Sequence, residues 1–497
     1  MTHAIIVGAG LGGLSAAIEL AARGADVTVF EAAGSPGGKA GTVILDGVEV
    51  DTGPSVLTMP DVVDALLKRG GRSLGDAVIL REPQPAFRYI YPDGAVVDVD
   101  ISPEATLANV QDALGSDARA ELERFLAYSK RIWDASAPHF VYGPAPSFAG
   151  VLSLGIQALT KLTRIDPLRS MKRAIDAQIR SPHLRKLLAR YATYNGSDVR
   201  SAPATLNCIA HVELALGGFG VEGGMSQIVR ALVAVAEELG ATFHYNAPVS
   251  ELVLSGRRVT GVVVDGRPHT ADVVVANADP ALVMDTLLPS GTRHGLHRPT
   301  GSMSGWNGIL RARRRTGDDA RVAHTVYFCE DYDQEFADIF DRDRPPKSPT
   351  VYVCAQERNH NRRGWADEEP VFVMANAPPE PLDGPRPQSV WSELSDTVMT
   401  RLLESGLRDE ADRLAWQRTP SELAARFPGS RGSIYGGASN DMFAAFRRPP
   451  NRISGVPGLY MASGGAHPGG GMPLAMLSGQ AAAEAIAADH NLAQRSA

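Results

Sequence analysis

The apolar positions change period along the chain, and those changes mark its elements. Ala4-Ile5-Ile6-Val7 is an unbroken apolar run closed by Gly8, which predicts a strand. Leu14 to Arg23 carries apolar residues at helical spacing and stops at Gly24, and Asp26-Val27-Thr28-Val29-Phe30 predicts a second strand ending at Glu31. A hairpin is predicted where Ala86 to Tyr91 and Ala95 to Val99 flank a Pro92-Asp93-Gly94 turn. Helical patterns run from about Pro103 to Tyr194, with Gly/Pro interruptions near Tyr142 to Gly150. Sheet character returns around Leu214 to Gly220, followed by a helix over Ser226 to Leu239 with Ile228, Leu232, Val235 and Leu239 on one face. Strands are predicted at Ala241–Tyr245, Val249–Leu254, Val259–Val264 and Ala271–Ala276, joined in part by Ser255-Gly256 and Asp265-Gly266 turns. The Pro-rich stretches 344–349 and 378–385 read as loops. A last strand at Gly458–Ala462 leads through a glycine-rich loop into a helix from about Leu474 to Ala487.

At 497 residues the chain predicts two structural domains, with size enough for a third lobe. A hydrophobic content of 44% and a charged content of 21% are ordinary for a soluble protein, and a net charge of −7 argues against nucleic acid as a partner. Three separated cysteines, Cys208, Cys329 and Cys354, offer neither a disulfide framework nor a thiolate metal site and suit a reducing cytoplasm; no metal is expected. The sequence shows neither a signal peptide nor a run of about 18 apolar residues that would span a membrane.

The opening strand, turn and helix carry the first chemistry. Gly8-Ala9-Gly10-Leu11-Gly12-Gly13 satisfies G-x-G-x-x-G, with Gly8 in the tight turn, Gly10 where backbone approaches a pyrophosphate and Gly13 at close helix–strand packing. The phosphates would face the helix N-terminus, and Glu31, about 20 residues on, would accept from ribose hydroxyls. Two segments beyond Glu31 favour FAD over NAD: Gly37-Gly38-Lys39 and then Asp51-Thr52-Gly53-Pro54, which could close over a permanently held dinucleotide. Near the end, Ser463-Gly464-Gly465-Ala466-His467-Pro468-Gly469-Gly470-Gly471-Met472-Pro473 offers small-residue backbone to a planar ligand and a helix N-terminus to a flavin's pyrimidine edge.

Together, the fingerprint, the GG-Lys and DTGP segments, Gly223-Gly224-Met225 and the final G-x-H-P-G-x-G-x-P segment resemble the bacterial carotenoid (phytoene) desaturase family. Arg190-Tyr191-Ala192-Thr193-Tyr194-Asn195-Gly196 and Pro349 to Gln356 resemble its 1-hydroxycarotenoid 3,4-desaturase branch. The common flavoprotein ending carries an Asp where Gly464-Gly465 has none, a departure that carotenoid desaturases share. The resemblance implies an α/β fold: a Rossmann-like FAD-binding βαβ domain of the glutathione-reductase or amine-oxidase type, a discontinuous α+β substrate domain and a helical membrane-facing lobe. The expected division is 1–72, 218–285 and 430–490 for FAD, and 73–217 with 286–429 for substrate, the helical lobe covering about 105–200.

It also implies hydride transfer from an acyclic carotenoid to flavin, forming a conjugated double bond, with a quinone or oxygen as final acceptor. Implied cofactor contacts are Gly8, Gly10, Leu11, Gly12, Gly13, Glu31, Gly38, Lys39, Gly53, Pro54, Gly464, Gly471 and Met472, with Val249 where the family places a backbone contact to adenine. His467 and Glu213 are the candidate proton acceptors, each with a plain structural role as its alternative; Arg190 and Tyr194 are candidates for binding a terminal hydroxyl or methoxy group. Other readings are a phytoene desaturase, a carotenoid isomerase or oxygenase, an amine oxidase and a flavin-binding escort protein. An amine oxidase would carry an aromatic cage, and no aromatic pair accompanies the final loop.

A carotenoid dissolves in bilayers, so peripheral attachment to the inner face of the cell membrane is expected. Phe148 to Ile165 includes Phe148, Val151, Leu152, Leu154, Ile156, Leu159 and Leu162, interrupted by Lys161 and Arg164, and Arg169, Lys172, Arg173, Arg180, Arg185, Lys186 and Arg190 follow with only Asp166 and Asp176 opposing. An apolar face beside a cationic one suits an anionic membrane surface, or equally a solvated helical face.

Overall fold

The computed structural model describes residues 1–146, 164–298 and 300–493. The opening strand, His3–Val7, lies at the centre of a five-stranded sheet whose order is Leu459–Met461, Val273–Ala276, His3–Val7, Asp26–Phe30, Thr242–His244. All four pairings are parallel. Alternation along a strand sends neighbouring side chains to opposite faces, and here both faces are buried. Ala4 and Ile6 pack with Leu14, Ile18, Ile228 and Met476 on the helical side. Ile5 and Val7 pack with Leu252, Val259 and Val262 on the other. The helical side holds the first helix, Leu11–Ala22, the helix Ser226–Glu238 and the last helix, Met472–His490. The opposite side holds an antiparallel sheet of Val249–Ser255, Arg258–Val264 and Arg267–Thr270.

A second sheet has seven strands in the order Arg413–Arg418, Ser304–Arg313, Glu368–Ala377, Val351–Ala355, His324–Tyr327, Phe87–Ile90, Val96–Val99. Its pairings are antiparallel except between His324–Tyr327 and Phe87–Ile90. The helix Gln388–Glu404 covers it through Trp391, Leu394, Val398 and Leu402. The helices Pro103–Leu114 and Ser116–Phe140 pack beside the Phe87–Ile90 end, with Phe125 and Ile132 buried in the same cluster as Phe87 and Tyr89.

Three readings of the elements need correction. Most of Leu214 to Gly220 is not strand: the helix Cys208–Leu214 occupies its start, and only its end pairs, Phe219 with Leu57 and Gly220–Val221 with Leu80–Arg81. Ala210 to Leu214 are all buried, so burial shows no alternation there, and the chain turns after Leu214 through Gly217-Gly218. Arg267–Thr270 is a strand that its polar composition and Pro268 concealed; it lies at the edge of its sheet, where proline is tolerated. The last helix starts at Met472 and continues to His490, with Pro473 in its first turn, where a missing N–H costs nothing.

The cationic run after Ile165 is opposed by more acids than sequence proximity suggests. Arg169 pairs with Asp166, and Lys172 reaches Asp333 as well as Asp176. Arg185 also meets Asp176, and Arg190 is buried against Glu213. The apolar stretch assigned to the membrane surface lies outside the described residues except for Arg164 and Ile165. Among the described residues, no helix is long and apolar enough to cross a membrane.

Candidate active site

The fingerprint turn is built so that only small residues fit. Gly8 takes a φ of +99°. A Cβ at Gly13 would overlap the Gly8 carbonyl oxygen, so the first helix leaves the strand at the closest approach that backbone allows. Gly10 stands at the N-cap with no capping side chain, and the first turn carries no acidic residue. Neither a capping side chain nor a first-turn acid thus occupies the positive end of the helix, which suits a pyrophosphate. Glu31 lies beside this turn, its Oε2 accepting from the Ala9 N–H at 2.6 Å and its Oε1 from the Ala33 N–H at 2.8 Å. The Ala247 N–H donates to the Glu31 carbonyl at 2.9 Å, which brings the chain near Val249 to the same corner.

The GG-Lys loop lies on the fingerprint through the Gly37 N–H, 2.9 Å from the Ala9 carbonyl. Lys39 departs from expectation. Its ammonium donates to the carbonyls of Ser433 and Ile434, at 2.8 and 3.1 Å, beneath the Phe427 ring. Burial pulls its pKa down to about 8, partly offset by Asp279. The amine ties the loop to the 433–434 segment rather than facing the fingerprint.

Residues with no motif behind them join the DTGP turn to the GG-Met turn. The Gln356 amide accepts from the Asp51 N–H at 3.1 Å and donates to the Asp51 carbonyl at 2.8 Å. Asn359 donates to the Ser55 carbonyl at 2.8 Å, while Asp51 accepts from the Met225 N–H at 2.8 Å. Arg362 donates to the Ser226 hydroxyl at 3.0 Å and to the Gly223 carbonyl. The one available signal was the polar run from Gln356 to Arg362 directly after an apolar strand.

At the other end, Asn451 clamps the final loop, donating to the carbonyls of Met461 at 3.1 Å and His467 at 2.9 Å. Gly471 has a φ of +103° and nothing within 4 Å of where a Cβ would stand, so a planar group can approach its backbone. The last helix begins here with neither a capping side chain nor a first-turn acid. These features fit FAD: two uncapped helix starts, bare glycine backbone and a carboxylate at the end of the second strand.

A cavity of about 890 Å³ opens from this region and is lined on the cofactor side by Gly53, Pro54, Gly471 and Met472. That is the upper range for small-molecule sites. Much of the remaining wall is apolar, including Trp133, Ile209, Val212, Phe372 and Met374. Into it project three of the four predicted side chains, Arg190, Tyr194 and Glu213, on the segments just before and within the helix Cys208–Leu214. Glu213 is 3% exposed. Its carboxylate accepts from the Tyr191 hydroxyl at 3.0 Å and from Tyr194, and Arg190 Nη1 lies 3.8 Å away. Burial raises the Glu213 pKa, against the opposing pull of Arg190 and the tyrosines, while Arg190 stays charged.

Arg190 sits among the rings of Phe87, Tyr89, Tyr194 and Tyr352, at 5.0 to 5.9 Å from their centroids, and donates to the Tyr89 hydroxyl at 3.1 Å. Rings distant in sequence thus converge into an aromatic cage around Arg190, away from the final loop where the sequence shows no aromatic pair. The chain's own guanidinium fills it, and that charge repels an ammonium substrate. The cluster can hold an oxygen-bearing group through tyrosine and guanidinium donors and exchange a proton at Glu213.

His467 stands apart. It is absent from the cavity wall, and its Nε2 is 2.9 Å from the Gly143 carbonyl, which it can reach only as a donor. Burial lowers its pKa. This geometry fixes the final loop against the helical lobe, the structural alternative to a proton acceptor.

The family model for flavin-containing amine oxidoreductases matches residues 11–364. The chain is 34% identical over 498 residues to hydroxyneurosporene desaturase of Cereibacter sphaeroides, covering 99% of this chain and 98% of that protein. It is 32% identical over 492 residues to 4,4'-diapolycopene oxygenase of a Methylomonas species, covering 98% of each. Among solved structures, a putrescine oxidase bound to putrescine matches with a TM-score of 0.62 and 17% identity, over 98% of this chain and 99% of that one. At that identity the likeness speaks for the fold.

Proposed function

From the premise that the chain belongs to the flavin-containing amine oxidoreductases, and within them to the FAD-dependent carotenoid desaturases, we propose that it forms the 3,4 double bond of 1-hydroxy or 1-methoxy acyclic carotenoids. FAD, when bound, supplies the hydride acceptor. In this reading the backbone of Gly8, Gly10, Leu11, Gly12 and Gly13 holds the pyrophosphate, Glu31 the ribose and Val249 the adenine. Gly38, Gly53, Pro54, Gly464, Gly471 and Met472 line the flavin. Lys39 acts at one remove, by fixing the loop that carries Gly38.

The observation that carries the substrate assignment is the Arg190–Tyr191–Tyr194–Glu213 cluster in a largely apolar cavity. Apolar walls accept a polyene of any kind, and a buried polar cluster has meaning only for a chain that carries oxygen. An oxygen on C1 lies close along the chain to the C3–C4 bond, so a group that holds it also positions that bond. Arg190 and the Tyr194 hydroxyl hold the oxygen. Glu213, its pKa raised by burial, takes up at Oε1 the proton that leaves the carbon next to the hydride donor.

Anaerobic bleaching of the holoenzyme by hydroxylated and unmodified acyclic carotenoids tests this, with a quinone or oxygen then restoring the absorbance. Tyr194→Phe also removes a donor from Glu213 and so touches both substrates, but it is expected to lower kcat/KM about fivefold more for the hydroxylated one, the worth of roughly 1 kcal/mol for one hydrogen bond. Glu213→Gln should lower kcat for both. Equal losses on both substrates with Tyr194→Phe would remove the 1-hydroxy assignment, and a product that gains oxygen would favour the oxygenase reading.

The same reading places the enzyme peripherally on the inner face of the cell membrane. Met442 and Phe443, 40% and 47% exposed, line the cavity at its outer side, where a lipid-borne chain would enter.

A further inference from the structure

Arg448 is a buried cation without a counter-charge. It is 9% exposed, and its Nη2 donates to the Gly437 carbonyl and the Ser439 hydroxyl, both at 3.2 Å, while Nη1 lies 3.5 Å from the Gly464 carbonyl. All three partners are neutral oxygens. The other deeply enclosed arginines meet carboxylates: Arg321 pairs with Glu369 and Asp412, and Arg190 with Glu213. No carboxylate among the described residues pairs with Arg448, and burial alone pulls its guanidinium down to about 10. A cation desolvated among neutral dipoles is costly, and such costs concentrate where a charge of opposite sign is met during function.

The surroundings say where that charge arises. Arg448 shares its cavity wall with Gly470, Gly471 and Met472, the end of the loop assigned to the flavin. Its Nη1 lies so close to Gly469 that a Cβ there would come within 2.8 Å. The last helix starts from the same loop with its positive end uncapped. The guanidinium and the helix thus bring two positive sources to one side of the site.

We propose that Arg448 stabilises the negative charge that bound flavin gains on reduction, and so sets how readily it accepts electrons. The balance is simple. A hydride brings two electrons and one proton to a neutral ring, leaving one net negative charge there, while the second proton leaves the substrate separately. The proposal rests on FAD binding and not on the choice of carotenoid, so its failure leaves the substrate assignment untouched.

Wild-type holoenzyme is to be compared with Arg448→Gln, which removes the charge and keeps a donor for the loop carbonyls, and with Arg448→Lys, which keeps the charge. Each is titrated with sulfite, whose addition to flavin also places negative charge on the ring, and equilibrated with a reference redox dye; FAD content is measured in parallel. Arg448→Gln is expected to bind sulfite about tenfold more weakly and to shift the midpoint potential negative, with Arg448→Lys close to the wild type. Any other pattern overturns the proposal. Wild-type sulfite affinity in Arg448→Gln would show the charge to be idle. The same defect in both variants, including loss of FAD, would make Arg448 only a tie between the 437–439 and 464–469 loops.

Discussion

His360 shows how a single side chain makes this fold sensitive to acid. It is wholly buried, with Nδ1 3.1 Å from the Val221 carbonyl and Nε2 3.1 Å from the Asn359 amide nitrogen. Burial, reinforced by Arg362, lowers its pKa to about 3. A histidine depressed in the folded state binds its proton first in the unfolded chain. Its stabilisation is therefore complete above the ordinary value of about 6.5 and is lost as pH falls toward 3, by about 1.4 kcal/mol per pH unit. Urea unfolding at pH 7 and pH 4.5 should show a loss that is smaller in His360→Gln; the same loss in both would assign the acid sensitivity elsewhere. His324, held well below its ordinary value by burial, adds to the same trend. At this scale the sequence was legible where residues share a compact motif, as with Arg190 and Tyr194, which both line the cavity. The contacts of Gln356 to Asp51 span 305 residues and leave no local pattern to read.

Among elements, the helix Gln388–Glu404 depends most visibly on one anchor. Trp391 is fully buried, and its indole N–H is 2.7 Å from the Ser421 hydroxyl and 3.2 Å from Glu380 Oε1. Trp391→Ala is expected to cost about 3–5 kcal/mol, through lost burial and the cavity left behind, read as a shifted denaturation midpoint. A shift within about 0.5 kcal/mol, the range of surface changes, would mean that the sheet is held without this helix. Elements of the parallel sheet were legible because both of its faces are buried, which makes their apolar runs continuous and their glycine stops sharp. The Leu214–Gly220 stretch misled because short apolar runs suit either period: Leu214 ends a helix, a turn follows, and only Phe219 and Gly220 pair as strand.

Across the whole molecule, the cavity joins the flavin loops, the seven-stranded sheet and the helical lobe, and the proposed membrane attachment places its entrance at the exposed Met442–Phe443 rim. Met442→Asp with Phe443→Asp is expected to weaken flotation with anionic liposomes while leaving sulfite binding to the flavin unchanged. Undiminished flotation would remove this rim from the contact. The existence of a flavin unit was legible from the first forty residues. How the second sheet covers it was not, since register between strands tens of residues apart is set by packing rather than by sequence spacing.

One contact also orders events in time. The Ser15 hydroxyl donates to the Met476 carbonyl at 2.7 Å across 461 residues, where the last helix seats on the first. A ribosome adding about 5–20 residues per second needs roughly 20 to 90 s to cover that interval. Throughout it, the apolar side of the first helix lacks one of its partners, leaving the emerging chain a client for chaperones. FAD capture in its final geometry can only follow synthesis of the last helix, which makes the supply of flavin from that moment on, rather than earlier in synthesis, the condition for a productive yield.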